Sequence, residues 1–111
     1  MLPEEYVEAV LSLVERIPAG RVMSYGAIAE YLYESSGRGS ARLVGTIMAR
    51  HGGAVPWHRV VNSAGRLVPG HEGEAGRRLK AEGVPFRGDR VLMTEASWWP
   101  EQEMEPEQGR A

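Results

Sequence analysis

Three short apolar stripes at helical spacing, each cut off by proline or glycine within the first 53 residues, commit half of this chain to short packed helices. The first runs over Leu2–Ile17, where Tyr6, Val7, Val10, Leu11, Val14 and Ile17 recur every three or four positions. Pro3 near its first turn is tolerated, because the amide it lacks would have no intrahelical acceptor, and Pro18-Ala19-Gly20 ends it. Ser24 is an N-cap for a second helix, Tyr25–Tyr33, which buries Ala27, Ile28, Ala29 and Leu32. The polar run Glu34-Ser35-Ser36-Gly37-Arg38-Gly39 is a loop. Ser40 caps a third helix, Ala41–Arg50, which buries Leu43, Val44, Ile47 and Met48 and presents Arg42, Thr46 and Arg50 on its other face. Such a pair resembles a helix-turn-helix with a connection longer than the usual 3–4 residues, a weak signal alone.

The second half is more mixed. His51-Gly52-Gly53-Ala54 breaks the third helix, and Val60-Val61, Asn62-Ser63-Ala64-Gly65 and Leu67-Val68 read as a small hairpin. Glu72–Glu82 is a fourth, more polar helix closed by Gly83, and Asp89–Met93 is expected to add a strand. Beyond Thr94 the chain is rich in Glu, Gln and Pro. The expected fold is mainly α with a small β-hairpin: one winged-helix-like domain over 1–93, then an acidic tail, 94–111, partly disordered. Trp98-Trp99 more simply cover the core than form a partner-binding patch.

At 111 residues, with 42% hydrophobic and 25% charged residues, the chain suits a single domain. No stretch approaches the ~20 apolar residues of a membrane span. The start, Met-Leu-Pro-Glu-Glu, is acidic where a secretory signal carries positive charge, so a cytoplasmic location is expected. The sequence contains no cysteine, which removes disulfides, thiolate metal sites and any thiol nucleophile. His51, His58 and His71 have no metal-ligand spacing, and neither metal nor cofactor is expected. The net charge of −2 is unevenly spread: residues 1–37 carry −4, residues 38–90 carry +6, and residues 91–111 carry −4. A basic, Arg-dominated centre suits an anion-binding face, and a solvated Arg/Glu surface accounts for it about equally well.

The decisive segment is Pro56-Trp57-His58-Arg59-Val60. It resembles the Pro-Cys-His-Arg-Val active-site motif of the O6-alkylguanine-DNA alkyltransferases, with tryptophan in place of the reactive cysteine, the hallmark of the alkyltransferase-like proteins. Arg21-Val22-Met23-Ser24-Tyr25-Gly26-Ala27-Ile28-Ala29 is similar to that family's first DNA-contacting helix and its approach. Ala41-Arg42-Leu43-Val44-Gly45 is similar to its recognition helix, and Asn62-Ser63-Ala64-Gly65 to its hairpin turn. The match covers about residues 3–93.

The resemblance implies a minor-groove DNA-binding protein, expected to be a monomer, that extrudes O6-alkylguanine from duplex DNA without repairing it. It marks the lesion for nucleotide-excision-repair proteins. In that scheme Arg42 is the finger that fills the gap in the base stack, and Tyr25 crowds the phosphate beside the extruded nucleotide. Tyr25, Pro56, Trp57, His58 and Val68 make the lesion pocket, and Tyr25, Arg42, Thr46 and Arg59 contact DNA. For Arg59, a structural salt bridge weighs as much as a phosphate contact. His58 and Glu82 match the residues that activate the thiol in the true transferases. Here the relay ends on an indole, which offers only an N–H donor, so alkyl transfer is expected to be absent and the two residues to remain as hydrogen-bonding structure. Two departures stand out. Arg50-His51-Gly52-Gly53 lacks the asparagine that supports the active-site turn in relatives, and Gly70 stands where some carry a basic or aromatic pocket residue, leaving Arg66 or His71 as substitutes. The competing reading from another class is a sequence-specific helix-turn-helix transcription regulator.

Overall fold

The computed structural model describes residues 3–103. Helix α1 spans Glu4–Arg16, with Pro3 at its N-cap, Glu4 and Glu5 in the first turn and Arg16 in the last, charges that suit the helix dipole. Its buried face is Tyr6, Val10, Leu13 and Val14, continued by Ile17. Leu13 thus takes the place expected for Val7 and Leu11, which are only half-buried. Both arcs obey helical spacing, and packing against two further helices selects the one centred on Val10.

The capping serines act as expected. Ser24 Oγ accepts the Ala27 amide at 3.0 Å and starts α2, Tyr25–Ser36, while Ser40 Oγ accepts the Leu43 amide at 3.1 Å and starts α3, Ala41–His51. Helix α2 runs three residues past the expected Tyr33. The Ser36 hydroxyl bonds back to the Leu32 carbonyl at 2.8 Å, and Gly37, at φ 69°, closes the helix in a left-handed cap. The α2–α3 connection is therefore only Gly37–Ser40, a length ordinary for a helix-turn-helix. Gly39 cannot be replaced freely: its φ is 113°, and a Cβ there would collide with the buried Tyr6 hydroxyl.

The expected hairpin over 60–68 is not formed. Strand β2, Val60–Val61, instead pairs in parallel with β1, Met23–Ser24, in the register Met23↔Val60 and Ser24↔Val61. The Asn62–Gly65 turn is real, with Asn62 Oδ1 accepting the Ala64 and Arg66 amides at 2.9 Å each. The Asn62 amide donates across the turn to the Arg66 carbonyl at 3.0 Å, but no second strand follows, and the Gly65 carbonyl accepts the Val91 amide at 2.9 Å. Helix α4 covers Glu72–Ala81, with Glu82 as its C-cap. The antiparallel pair is β3, Phe86–Arg87, with β4, Arg90–Val91, shorter than the strand expected over Asp89–Met93. A one-turn helix, α5, occupies Met93–Ala96.

Two apolar clusters fill the domain. One joins α1, α2 and α3 under Trp98, and the other gathers Val22, Val61, Leu79, Val84, Val91 and Ala96. Packing continues past residue 93. The Trp98 amide donates to the Val22 carbonyl at 2.8 Å, its side chain is buried, and Trp99 meets the Tyr31 ring edge-on at 5.3 Å. The remainder of the acidic tail, 104–111, lies outside the described residues.

Candidate nucleic-acid interface

The Trp57 segment is a single 3₁₀ turn, Trp57–Arg59, entered from Pro56 and feeding straight into β2. Its three side chains divide between two environments. His58 and Arg59 turn inward onto Glu82, at the C-terminus of α4. Arg59 Nε and Nη2 donate to the two Glu82 carboxylate oxygens at 3.1 and 2.8 Å, and its Nη1 donates to the Ile17 carbonyl at 2.9 Å. The Gly20 amide also donates to Glu82 Oε1, at 3.2 Å. Burial alone would raise the Glu82 pKa, but hydrogen bonds from Arg59, His58 and Gly20 and the Arg59 charge outweigh it and bring the value down to about 2. An ionised carboxylate only accepts, so the His58 Nε2, 2.9 Å away, carries the proton. His58 Nδ1 is buried with no hydrogen-bond partner among the described residues. This knot fastens the turn to α1 and α4, which answers how it is held without the missing asparagine.

Trp57 faces the other way, into a cavity of about 600 Å³. Tyr25 at the start of α2 borders it, as do Gly45, Met48 and Ala49 of α3, the Gly52-Gly53 link, Val60, Val68, Pro69, and His71 and Glu74 around the start of α4. Gly45 and Ala49 sit one turn apart, and the absent side chain of the one and the methyl of the other leave the space that Trp57 overlooks. The His71 ring meets the indole at 5.7 Å and 66°, and the Arg78 guanidinium lies 5.4 Å from the indole centroid. Burial raises the Tyr25 phenol pKa, so this hydroxyl stays neutral near the cavity.

Of the expected pocket residues, Tyr25, Trp57 and Val68 line this cavity, whereas Pro56 and His58 do not: Pro56 sets up the turn and His58 belongs to the knot beneath it. Arg42 projects from the first turn of α3 and is exposed, and Thr46, one turn on, spends its hydroxyl on the Arg42 carbonyl at 3.1 Å. Arg59 is held inward, so it takes the structural alternative. His71 stands against Trp57, while Arg66 lies in a separate groove with Arg77, Lys80 and Phe86.

The sequence and structural comparisons fall on this arrangement. Residues 5–84 match the family model of the 6-O-methylguanine DNA methyltransferase DNA-binding domain. Alkyltransferase-like protein 1 of Schizosaccharomyces pombe is 39% identical over 93 residues, 76% of this chain and 81% of its own length. The chain belongs to the alkyltransferase-like proteins of this family. A DNA base-flipping protein of Escherichia coli K12 is 32% identical over 100 residues, 86% of this chain and 75% of its own. The crystal structure of S. pombe Atl1 with damaged DNA containing O6-carboxymethylguanine superposes with a TM-score of 0.74 at 33% identity, covering 90% of this chain and all of that one.

Within this alkyltransferase-like chain, Met48, Gly45, Ala49, Glu74 and the Gly52-Gly53 link were not singled out from sequence as pocket residues. The available signal was the small pair Gly45/Ala49 at i, i+4, set among larger side chains on the Arg42 helix. From residue 35 to residue 71 the chain holds five arginines and no acid; Arg59 among them is paired with Glu82, and Arg50 shares a groove with Glu4, Glu8 and Glu15 of α1. No helix among the described residues is long and apolar enough to cross a membrane, and no group of three or more His, Cys, Asp or Glu side chains among them could hold a metal ion.

Proposed function

We propose that this protein is a non-enzymatic sensor of O6-alkylguanine in duplex DNA, working in the cytoplasm as a monomer. It approaches through the minor groove and extrudes the modified nucleotide into the Trp57 cavity. There it holds the base until nucleotide-excision-repair proteins take over. The observation that carries this reading is the position of Trp57: an indole over an apolar cavity of about 600 Å³, at the motif position where the transferases have their cysteine. Extrusion costs a few kcal/mol, least for a base whose pairing is already damaged, and that difference itself favours lesions. Arg42 supplies the side chain that replaces the lost stacking, and Tyr25 the pressure on the adjacent phosphate. The solved complex of Atl1 with O6-carboxymethylguanine DNA makes alkylated guanine the ligand to test.

The test is equilibrium binding to paired duplexes that differ only by one O6-methylguanine, across a salt series. A preference for the lesion that persists while salt weakens both complexes supports the sensor. Equal binding to both, with preference for some unmodified sequence instead, supports the transcription-regulator alternative. Intact-protein mass after incubation with the alkylated duplex should be unchanged, and a gain of one alkyl group would sink the non-enzymatic assignment.

A further inference from the structure

We propose that Glu74 makes the pocket selective for uncharged O6 substituents over anionic ones, an inference that rests on the alkylguanine reading above. Around Trp57 the cavity wall is largely apolar, with Met48, Val60, Val68 and Pro69, and its other polar side chains are the Tyr25 phenol and the His71 ring. Glu74 is the only carboxylate among the described residues that line it. Its Oε2 forms an ion pair with Arg78 Nη2 at 2.6 Å, one helical turn on. Arg78 in turn lies over the Trp57 ring, with Cζ 5.4 Å from the centroid.

The cation is therefore engaged by two partners, the carboxylate and the indole face, while the carboxylate borders the cavity. A methyl or longer alkyl group settling beside Trp57 gives up almost no hydration. A substituent ending in carboxylate loses water as it enters and meets a fixed charge of its own sign, whose counter-ion is already committed. Desolvation and like-charge repulsion act in the same direction. Glu74 and Arg78 are each nearly half exposed, which softens the repulsion without reversing it.

The experiment measures affinities of the full chain for three duplexes identical except at one position: guanine, O6-methylguanine or O6-carboxymethylguanine. Wild type is expected to bind the methyl duplex about tenfold more tightly than the carboxymethyl duplex. Glu74→Gln keeps an acceptor for Arg78 but removes the charge, and should bring the ratio down to about twofold by raising carboxymethyl affinity relative to methyl affinity. Arg78→Gln removes the counter-charge and should widen the ratio. Equal wild-type affinity for the two adducts overturns the proposal, and so does a ratio unmoved by Glu74→Gln. A wild-type preference for the carboxymethyl adduct also overturns it, since Arg78 would then be the group that meets the substituent. Loss of the preference for methylguanine over guanine removes the lesion reading itself; an intact preference with an unmoved adduct ratio removes only this inference.

Discussion

The two sides of the Trp57–Arg59 turn differ sharply. Beneath it, Glu82 takes four hydrogen bonds from Gly20, His58 and Arg59, and Arg59 adds one to Ile17. Above it, Trp57 faces an open cavity and meets the exposed His71 and Arg78, with the His58 ring edge-on behind it at 6.2 Å. The lower side is a scaffold whose hydrogen bonds come from Gly20, His58, Arg59 and Glu82 and not from position 57, and the open side is where the residue at position 57 decides what the site can do.

Variants of Glu82 should break this contrast most severely, and through stability. Glu82→Ala leaves Arg59 and His58 without their acceptor in a half-buried site, an expected loss of about 3 kcal/mol. For a chain of this size that lowers Tm by about 10–20 °C, which thermal melting will show. The pH dependence sharpens the same point. Because folding lowers the Glu82 pKa from its ordinary 4.5 to about 2, its contribution is complete above about pH 4.5 and drains away as pH falls toward 2. Urea titrations of wild type and Glu82→Gln should converge across that acid window, and parallel curves would mean that the knot contributes little.

On the open side the effects should appear in binding with the fold unchanged. Arg42→Ala is expected to weaken lesion and undamaged duplexes alike, by about tenfold or more, if the residue acts as the proposed finger that replaces a stacked base whichever nucleotide leaves. Unchanged affinity for both would remove Arg42 from the interface. Trp57→Ala should act more narrowly, reducing the preference for O6-methylguanine by about five- to tenfold while overall affinity falls only two- to threefold. An intact preference would make Trp57 a structural aromatic and leave discrimination to other walls of the cavity.

Local signals were readable and remote ones were not. Ser24 and Ser40 mark their helices because a cap and the periodicity after it sit within a few residues, and the structure follows both. Helix α2 outran its expected end because Glu34-Ser35-Ser36 reads as loop by composition, whereas Ser36 can satisfy the Leu32 carbonyl and Gly37 supplies the left-handed cap. The hairpin failed for a different reason. A short apolar pair such as Val60-Val61 states that it will be a strand but not which strand it will meet, and its partner, Met23-Ser24, lies in a different part of the chain. At the site, the motif's resemblance led to Tyr25 and Trp57, but Glu74 lies on a polar helix where one more glutamate carries no periodic signal. Only the folded chain places it at the cavity that Trp57 faces.

The smallest effect concerns Arg78, which is exposed and holds two weak contacts, the Glu74 ion pair and the indole face. An exposed cation–π contact contributes about 0.5–1 kcal/mol, and an i, i+4 ion pair about 0.3–0.5 kcal/mol. Arg78→Gln should therefore leave Tm within a few degrees of wild type. Its consequence should lie in binding instead: a freed indole must be ordered when the lesion arrives, and O6-methylguanine affinity should fall about two- to fivefold. Loss of affinity at constant Tm would place Arg78 on the open side of the turn, as a residue that prearranges the pocket. The reverse result, a lowered Tm with unaltered affinity, would move it to the scaffold, and the division between the two sides would then run through α4 instead of through the Trp57 turn.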